Sequence, residues 1–381
     1  MKKIYLLGAT GSIGQQTIEI IRANPYDFVL AGISGFNNFE LVKKLAKEFE
    51  PEIVAVKTVE EAQILMSEFR NMRVVYGEKG LEDLAGYHPY HDIVLVNALV
   101  GMVGLKPTLK AIETNRTILL ANKETLVVGG HLIREKLKTS RAKIYPIDSE
   151  HNALWQALNG EDINAVKRLI ITASGGAFRD KSRSELETVS LEEALNHPNW
   201  SMGAKITIDS ATMINKGFEI IEAAYLFDID IDRIDTIMHR ESIIHSMVEF
   251  NDGSIIAQIA DHDMRLPISY ALNYPLRKES IANKFDLIRL NDLHFEEIDI
   301  NRYPCLAYAK EAYHIGGSMR TVLNAANEMA VELFIEKRIS FLEIERIIKK
   351  EMSNHQVIDF PSLEQIYEID QEIKTRINQE Y

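Results

Sequence analysis

The chain of 381 residues carries a single cysteine, two tryptophans and no apolar run near the roughly 18 to 20 residues that would span a bilayer. One thiol, Cys305, excludes an internal disulfide framework and a cluster of zinc thiolates, fits a reducing compartment and reads as structural. Basic charge is also short. Lys and Arg number 43 against 56 Asp and Glu, a formal net charge of −13 with a pI near 5.4. That balance offers no basic field to nucleic acid or to an anionic membrane surface, so neither is an expected partner and any anionic substrate must be gripped locally. Low-complexity tracts are missing, as are repeats at the roughly 20 to 50 residue periods of solenoids. The opening "MKK" leads into a short apolar run that ends at a glycine turn. A secretory signal needs a longer apolar stretch and a cleavage site, so a cytoplasmic location is expected.

What is present is 46% hydrophobic content over a length that buries a large core and suggests two or three domains. Up to residue 148, short β-type runs ("KIYLLGA", "FVLAGIS", "EIVAVK", "VVYG", "DIVLVNAL", "RTILLAN", "AKIYPID") alternate with helical patterns such as "VEEAQILMSEF" and "TLKAIETN". Strands apolar on both faces and joined by helices predict a doubly wound, Rossmann-like domain over 1–148. The rhythm then changes. "KRLIITAS" precedes a helical stretch, and "IIHSMVEF" and "SIIAQIA" flank "NDG", a tight hairpin turn. A mixed α+β catalytic domain is predicted over 149–274, a charged, irregular connector over 275–303 and a helical C-terminal domain over 304–381. In the last, Leu323, Ala326, Ala330 and Leu333 make a helical stripe and "FLEIERIIKKEM" another. The fold class is α/β.

"GATGSIG", residues 8–14, follows the first strand and opens a helix. Gly8 allows the sharp turn, Gly11 lets backbone approach a pyrophosphate, Gly14 allows close helix packing, and the helix N-terminus offers free N–H groups. Thr10, Gly11, Ser12 and Ile13 are expected to touch a dinucleotide; the alternative is a glycine turn in some other doubly wound protein. An NAD enzyme usually ends its second strand with an acid for the ribose. Here stand Ser34, Gly35, Phe36, Asn37 and Asn38, so NADPH is the expected cofactor.

In "PIDSEHNALWQ", extended backbone would put Asp148 and Glu150 on one face at the C-terminal sheet edge, where two carboxylates repel unless a cation lies between them. Oxygen-only ligation predicts Mg²⁺ or Mn²⁺, and the plain alternative is an N-cap acid beside a solvated Glu. In "KITIDSATMINKGFEIIEAAYLF", a helix N-capped by Ser210 would carry Asn215, Lys216 and Glu219 on one face. Ser, Asn and Lys beside a helix start make a phosphate grip, with Glu219 one turn on as a third metal ligand; a surface ion pair of Lys216 with Glu219 is the alternative. Ser174, before paired glycines in "ITASGGAFR", suggests a second anion loop. "NHPNWSMG" puts His197 and Trp200 in a Pro-containing loop with Gly203 as hinge, a lid able to cover a substrate, unless Trp200 plugs the core. Trp155 reads as core, and His245, His262 and His314 as structural or surface residues.

With "LLANKETLVVGG", "MRLPISYAL" and "VLNAANEMAV" added, these motifs resemble the 1-deoxy-D-xylulose 5-phosphate reductoisomerase family along the whole chain. The resemblance implies conversion of that sugar phosphate to 2-C-methyl-D-erythritol 4-phosphate in non-mevalonate isoprenoid synthesis, by a homodimer using NADPH and a divalent cation. It implies Asp148, Glu150 and Glu219 as metal ligands and Lys123, Ser149, Glu150, Ser174, His197, Ser210, Asn215, Lys216 and Glu219 as substrate contacts, with Trp200 on a mobile lid. Asn122, Glu124 and Gly203 join Gly35, Phe36 and Asn37 in the cofactor set, and Lys123, Asp148, Glu150, His197 and Glu219 carry the catalysis. Three positions depart from the family pattern: Phe36 replaces a Lys or Arg, and His262 and Arg320 each replace a proline. The rival readings are another metal-dependent NADP oxidoreductase, which would not need the phosphate grip, and a non-catalytic dinucleotide-binding redox sensor, which would not need three acids.

Overall fold

The computed structural model describes residues 1–88, 93–200, 202–290 and 292–381. Asp92 at the head of a predicted strand, Ser201 of the tryptophan loop and Asn291 of the charged segment lie outside the described residues. The chain forms two compact units: Met1–Thr125, His131–Asn152 and Asp263–Asn283 make the first, and Leu126–Gly130, Ala153–His262 and Lys284–Tyr381 the second.

The first unit alternates strand and helix as the apolar runs predict: β1 (Lys2–Leu7), α1 (Ser12–Ala23), β2 (Phe28–Ser34), α2 (Phe39–Phe49), β3 (Ile53–Val56), α3 (Val59–Glu68), β4 (Arg73–Tyr76), α4 (Gly77–Gly86), β5 (Ile93–Asn97), α5 (Leu105–Glu113), β6 (Thr117–Leu120), α6 (Glu124–Leu137), β7 (Lys143–Pro146) and α7 (Ser149–Leu158). The seven strands form one parallel sheet in the order β4-β3-β2-β1-β5-β6-β7. Burial on both faces explains the unbroken apolar runs: Ile4, Tyr5, Leu6 and Leu7 of β1 and all four residues of β3 are fully buried. Strand order reverses between β1 and β5, and at that switch point the strand ends are in register, with Leu7 beside Asn97, Asn97 beside Leu120 and Leu120 beside Pro146. The loops that leave those four ends carry the glycine turn, Asn122 to Glu124, and Asp148 to Glu150. Ligands of open α/β sheets bind at such an edge.

The second unit, which also takes Leu126–Gly130 of α6 and α7 from Ala153 on, adds β8 (Val166–Ala173), then α8 (Leu191–Ala194), α9 (Ala204–Thr212), α10 (Ile214–Phe227), β9 (Ile234–His239), β10 (Ile244–Phe250) and β11 (Ile255–Ile259). The chain passes through α11 (Arg265–Asn273), which belongs to the first unit, and returns with β12 (Phe295–Glu296), a two-residue strand within the segment read as a connector. The sheet order is β11-β10-β8-β9-β12, parallel only between β8 and β9. The β10–β11 hairpin turns through Asn251, Asp252 and Gly253, with Gly253 at a φ of 88° that a side chain would resist.

Four helices follow: α12 (Pro304–Ile315), α13 (Met319–Ile335), α14 (Phe341–Asn354) and α15 (Leu363–Glu380). The predicted stripe of Leu323, Ala326, Ala330 and Leu333 is fully buried on α13, which α9, α14 and α15 surround. Each buried leucine there contributes about 1.5–3 kcal/mol. Among the described residues no helix is long and apolar enough to cross a membrane.

Three local expectations need correction. Ser210 is not an N-cap, because it lies in the last turn of α9, which starts from Gly203 and is held by an Asp209 that Lys205 pairs with at 2.8 Å, one turn earlier, and Asn327 bonds at 2.9 Å. The new helix starts after Met213, whose left-handed backbone (φ 64°) breaks α9 from α10. Nor are Asp148 and Glu150 on one face of extended backbone: β7 ends at Pro146, and Glu150 is the second residue of α7. Trp155, expected in the core, is only partly buried because α7 buries His151 to Leu154 and Ala157 instead.

Candidate active site

Strand β1 ends in a turn that side chains cannot share. Gly8 sits at φ 80°, and a Cβ on it would come within 2.5 Å of the Ala98 carbonyl oxygen; a Cβ on Gly14 would meet the Gly8 oxygen at 2.2 Å. At Gly11 the nearest atom would be 3.4 Å away, so that position keeps its space toward a ligand. Gly11 is also the N-cap of α1 and has no side-chain hydrogen bond, so the N–H groups of Ser12, Ile13 and Gly14 keep their positive end available to an anion. The Ser34 hydroxyl accepts from the Gly8 N–H at 3.0 Å, and Gly35 lies against Thr10. Of the residues after β2, Asn38 is already used as the cap of α2, accepting from Leu41 N–H at 3.0 Å, while Asn37 is exposed and Phe36 partly buried.

After β6, the Asn122 amide donates to the carbonyls of Leu99 (3.0 Å) and Gly101 (2.8 Å) and to Glu124 Oε2 (3.1 Å), and its oxygen accepts from Thr125 N–H at 3.2 Å. It thus ties the β5 loop to the start of α6. Lys123, almost fully buried, reaches Asp148 with Nζ to Oδ2 at 2.8 Å, and Ser149 donates to Glu150 Oε2 at 2.7 Å. Burial alone would raise the Asp148 carboxyl, but the Lys123 ammonium and then His151 hold it well below the usual carboxylate range. Asp148 also accepts weakly from Glu150 N–H at 3.4 Å, so it has cap character as well.

In the second unit, Ser174 follows β8 and the left-handed Gly175 and Gly176 come next. A Cβ on Gly176 would meet the Ser210 carbonyl oxygen and Ala211 backbone at 2.7 Å, so this loop lies directly on the α9 turn that bears Ser210. His197 bridges this loop and the tryptophan loop. Its Nδ1 accepts from the backbone N–H of Asn199 (3.2 Å) and Trp200 (2.9 Å), which puts the proton on Nε2, 3.0 Å from Ser174 Oγ. Burial, with help from Arg179, pushes the imidazole down to about 4. The Ser174 oxygen accepts from His197 and from Gly176 N–H (3.3 Å), leaving its own proton for an anion. One turn into α10, Asn215 and Lys216 both donate to Glu219, each at 2.6 Å, and all three are buried. The pair is therefore not the surface ion pair considered from sequence.

Trp200 is partly buried and does not plug the core. Its indole rests on two imidazoles, His245 and His262, which sequence reading left aside because only the folded chain brings 200, 245 and 262 together. Arg179, also missed, donates to the Ser174 carbonyl at 3.2 Å and fixes that loop. Gly203 caps α9 with open space around it. Thus Asn122 to Glu124, Asp148 to Glu150 and the glycine turn stand along one sheet edge, and Ser174, His197, Ser210 and Trp200 along one loop system.

The profile of 1-deoxy-D-xylulose 5-phosphate reductoisomerase matches residues 4–130, and profiles of that enzyme's C-terminal regions match 144–227 and 259–376. A 1-deoxy-D-xylulose 5-phosphate reductoisomerase of Bacillus cereus (strain Q1) is 53% identical over 371 residues, 97% of each chain. The chain belongs to the 1-deoxy-D-xylulose 5-phosphate reductoisomerase family. Another family member, from Shouchella clausii, is 52% identical over 379 residues, 99% of this chain and 100% of its own. Among solved members of the family, a DOX-P reductoisomerase in complex with NADPH, fosmidomycin and magnesium superposes with a TM-score of 0.94 at 37% identity, covering 100% of this chain and 98% of its own. The Zymomonas mobilis enzyme of the family, in complex with NADPH, gives 0.89 at 37% identity over 98% and 97%.

Proposed function

We propose that this chain converts 1-deoxy-D-xylulose 5-phosphate to 2-C-methyl-D-erythritol 4-phosphate with NADPH and Mg²⁺ or Mn²⁺. The observation that carries the reading is full-length kinship to reductoisomerases, one of them solved with NADPH, fosmidomycin and magnesium. It displaces both rivals, the other NADP oxidoreductase and the redox sensor. The local chemistry supports it. An uncapped helix start with space at Gly11 suits a pyrophosphate, and carboxylates without thiolates suit a hard cation.

In this reading Thr10, Gly11, Ser12, Ile13, Gly35, Phe36, Asn37, Asn122, Glu124 and Gly203 serve NADPH, and Asp148, Glu150 and Glu219 serve the ion. Bound there, the ion supplies Lewis acidity toward the ketone and hydroxyl oxygens, and the dinucleotide supplies hydride. Ser174, Ser210, Asn215 and Lys216 grip the phosphate, so binding energy at the unreactive end orients the reacting end. His197 contributes a neutral Nε2–H, Ser149 a hydroxyl, and Lys123 an ammonium beside the acids. Trp200 shields the site from water. Functionally, 1–148 is the NADPH region, 149–274 the catalytic region, 275–303 a connector and 304–381 a helical support.

The same reading makes the protein a cytoplasmic homodimer. The fully buried Cys305 suits a reducing compartment, and the edge strand β11 exposes Ile255, Ile256 and Ile259, an apolar edge that a second copy would cover. The deciding assay mixes protein, NADPH, Mg²⁺ and the deoxyxylulose phosphate and follows nicotinamide absorbance. Consumption of NADPH that stops with a chelator is expected; no consumption under any divalent ion would end the reading.

A further inference from the structure

In the loop between α8 and α9, Trp200 is held at its backbone and at its indole, and the two holds differ in kind. His197 anchors its backbone through the Asn199 and Trp200 N–H groups. That leaves the Trp200 side chain two rotatable bonds with which to swing its indole away. The second hold is a ring contact: His262 meets Trp200 edge to face, with centroids 5.2 Å apart and planes at 86°. His245 lies 5.9 Å away at 51°.

His262 is itself fixed. Its Nε2 lies 2.8 Å from the Glu241 carbonyl oxygen, which only accepts, so Nε2 carries the proton and donates it. Its backbone N–H donates to Asp261 Oδ1 at 3.0 Å. A ring pinned at its far nitrogen and at its own backbone cannot turn, and an aromatic neighbour packed against it inherits one orientation. We infer that His262 is a positioning residue that presets the Trp200 indole before substrate arrives. The catalytic consequence rests on the reading of Trp200 as a lid; the ring contact does not. An indole already in place spares the substrate the cost of ordering it, so its loss raises KM more than it lowers kcat.

The test uses the full chain with Trp155→Phe, so that Trp200 is the one emitter of the two tryptophans. In the free protein, His262→Ala and His262→Gln are both expected to raise acrylamide quenching of Trp200 at least twofold. Gln keeps a donor for the Glu241 carbonyl but has no ring. His262→Phe keeps a ring and should stay near the parent. In turnover, His262→Ala should raise KM about three- to tenfold, the size of one edge-to-face contact, with kcat within about twofold. The same change in a Trp200→Ala background should do nothing further. Unchanged quenching in His262→Ala, parental behaviour of His262→Gln, or an equal KM effect without Trp200 would each overturn the inference. Because quenching is read without substrate, absence of reductoisomerase activity would end the proposed function and leave this result standing.

Discussion

Gly14→Ala and Gly11→Ala are the same chemical change three residues apart in one turn, and the structure assigns them opposite consequences. At Gly14 the added methyl would sit 2.2 Å from the Gly8 oxygen and 2.7 Å from the Ala9 Cα. Ordinary contact starts at 3.4 Å, so α1 must withdraw from the β1 turn by roughly 1 Å, and neither obstacle is a side chain that can rotate away. That withdrawal loosens the buried Thr17, Ile18, Ile20 and Ile21. Overpacking of this kind costs about 1–3 kcal/mol, and a backbone obstacle puts it at the upper end. At about 2–4 °C per kcal/mol, the melting temperature should drop by roughly 6–12 °C. At Gly11 the methyl meets the Gly8 oxygen at 3.4 Å, which is ordinary contact, and its φ of −82° suits alanine, so melting should stay within about 2 °C. The methyl occupies the space through which a pyrophosphate approaches, and NADPH affinity should fall by at least tenfold, about 1.4 kcal/mol. Thermal melts and a nicotinamide fluorescence titration on both variants separate the two effects. Parental melting in Gly14→Ala, or parental NADPH affinity in Gly11→Ala, would refute the assignment of these glycines.

Three further outcomes are expected. On the proposed function, Glu219→Gln keeps the side chain's size but weakens the hard-cation site, so turnover should collapse by about 10² to 10⁴ while NADPH binding persists; near-normal turnover would remove Glu219 from the ion. His197 is neutral in the fold, with its imidazole down to about 4 from an ordinary 6.5, so its contribution to stability is complete above 6.5 and is lost as pH falls from there toward 4. A ring NMR titration should find a midpoint near 4, and one between 6 and 7 would contradict the geometry. Glu50 ends α2 in an exposed left-handed conformation (φ 45°), so Glu50→Gly should stabilise the protein by about 1 kcal/mol, visible as a higher melting temperature; a lower one would count against strain there.

The parallel sheet was legible because strands buried on both faces announce themselves as apolar runs, and the runs predicted up to residue 148 became β1 to β7. The glycine turn was legible because each glycine is needed for a separate steric reason. Ser210 was misread because Ser, Asp and Thr favour caps in isolation, whereas the Lys205–Asp209 pair and the contact with Asn327 keep them inside a helix, and nothing local predicts a left-handed Met213. Asp148 and Glu150 were put on a strand one turn too long, since the helix start at Ser149 competes with the strand pattern. The contacts of His245 and His262 with Trp200 join distant segments and leave no trace in spacing.

The acids at 148 and 219 each keep an ammonium group of their own chain close by, 2.8 Å away for Lys123 and 2.6 Å for Lys216. Such resident counter-ions let the polypeptide reach its native shape before any divalent ion is captured, so chelation should silence the protein without melting it. On the proposed function, an ion at either carboxylate would relieve its lysine of full charge compensation and free that ammonium to hold a sugar phosphate. Loading and substrate affinity would then be tied through two lysines, and magnesium starvation would be felt first as weakened grip.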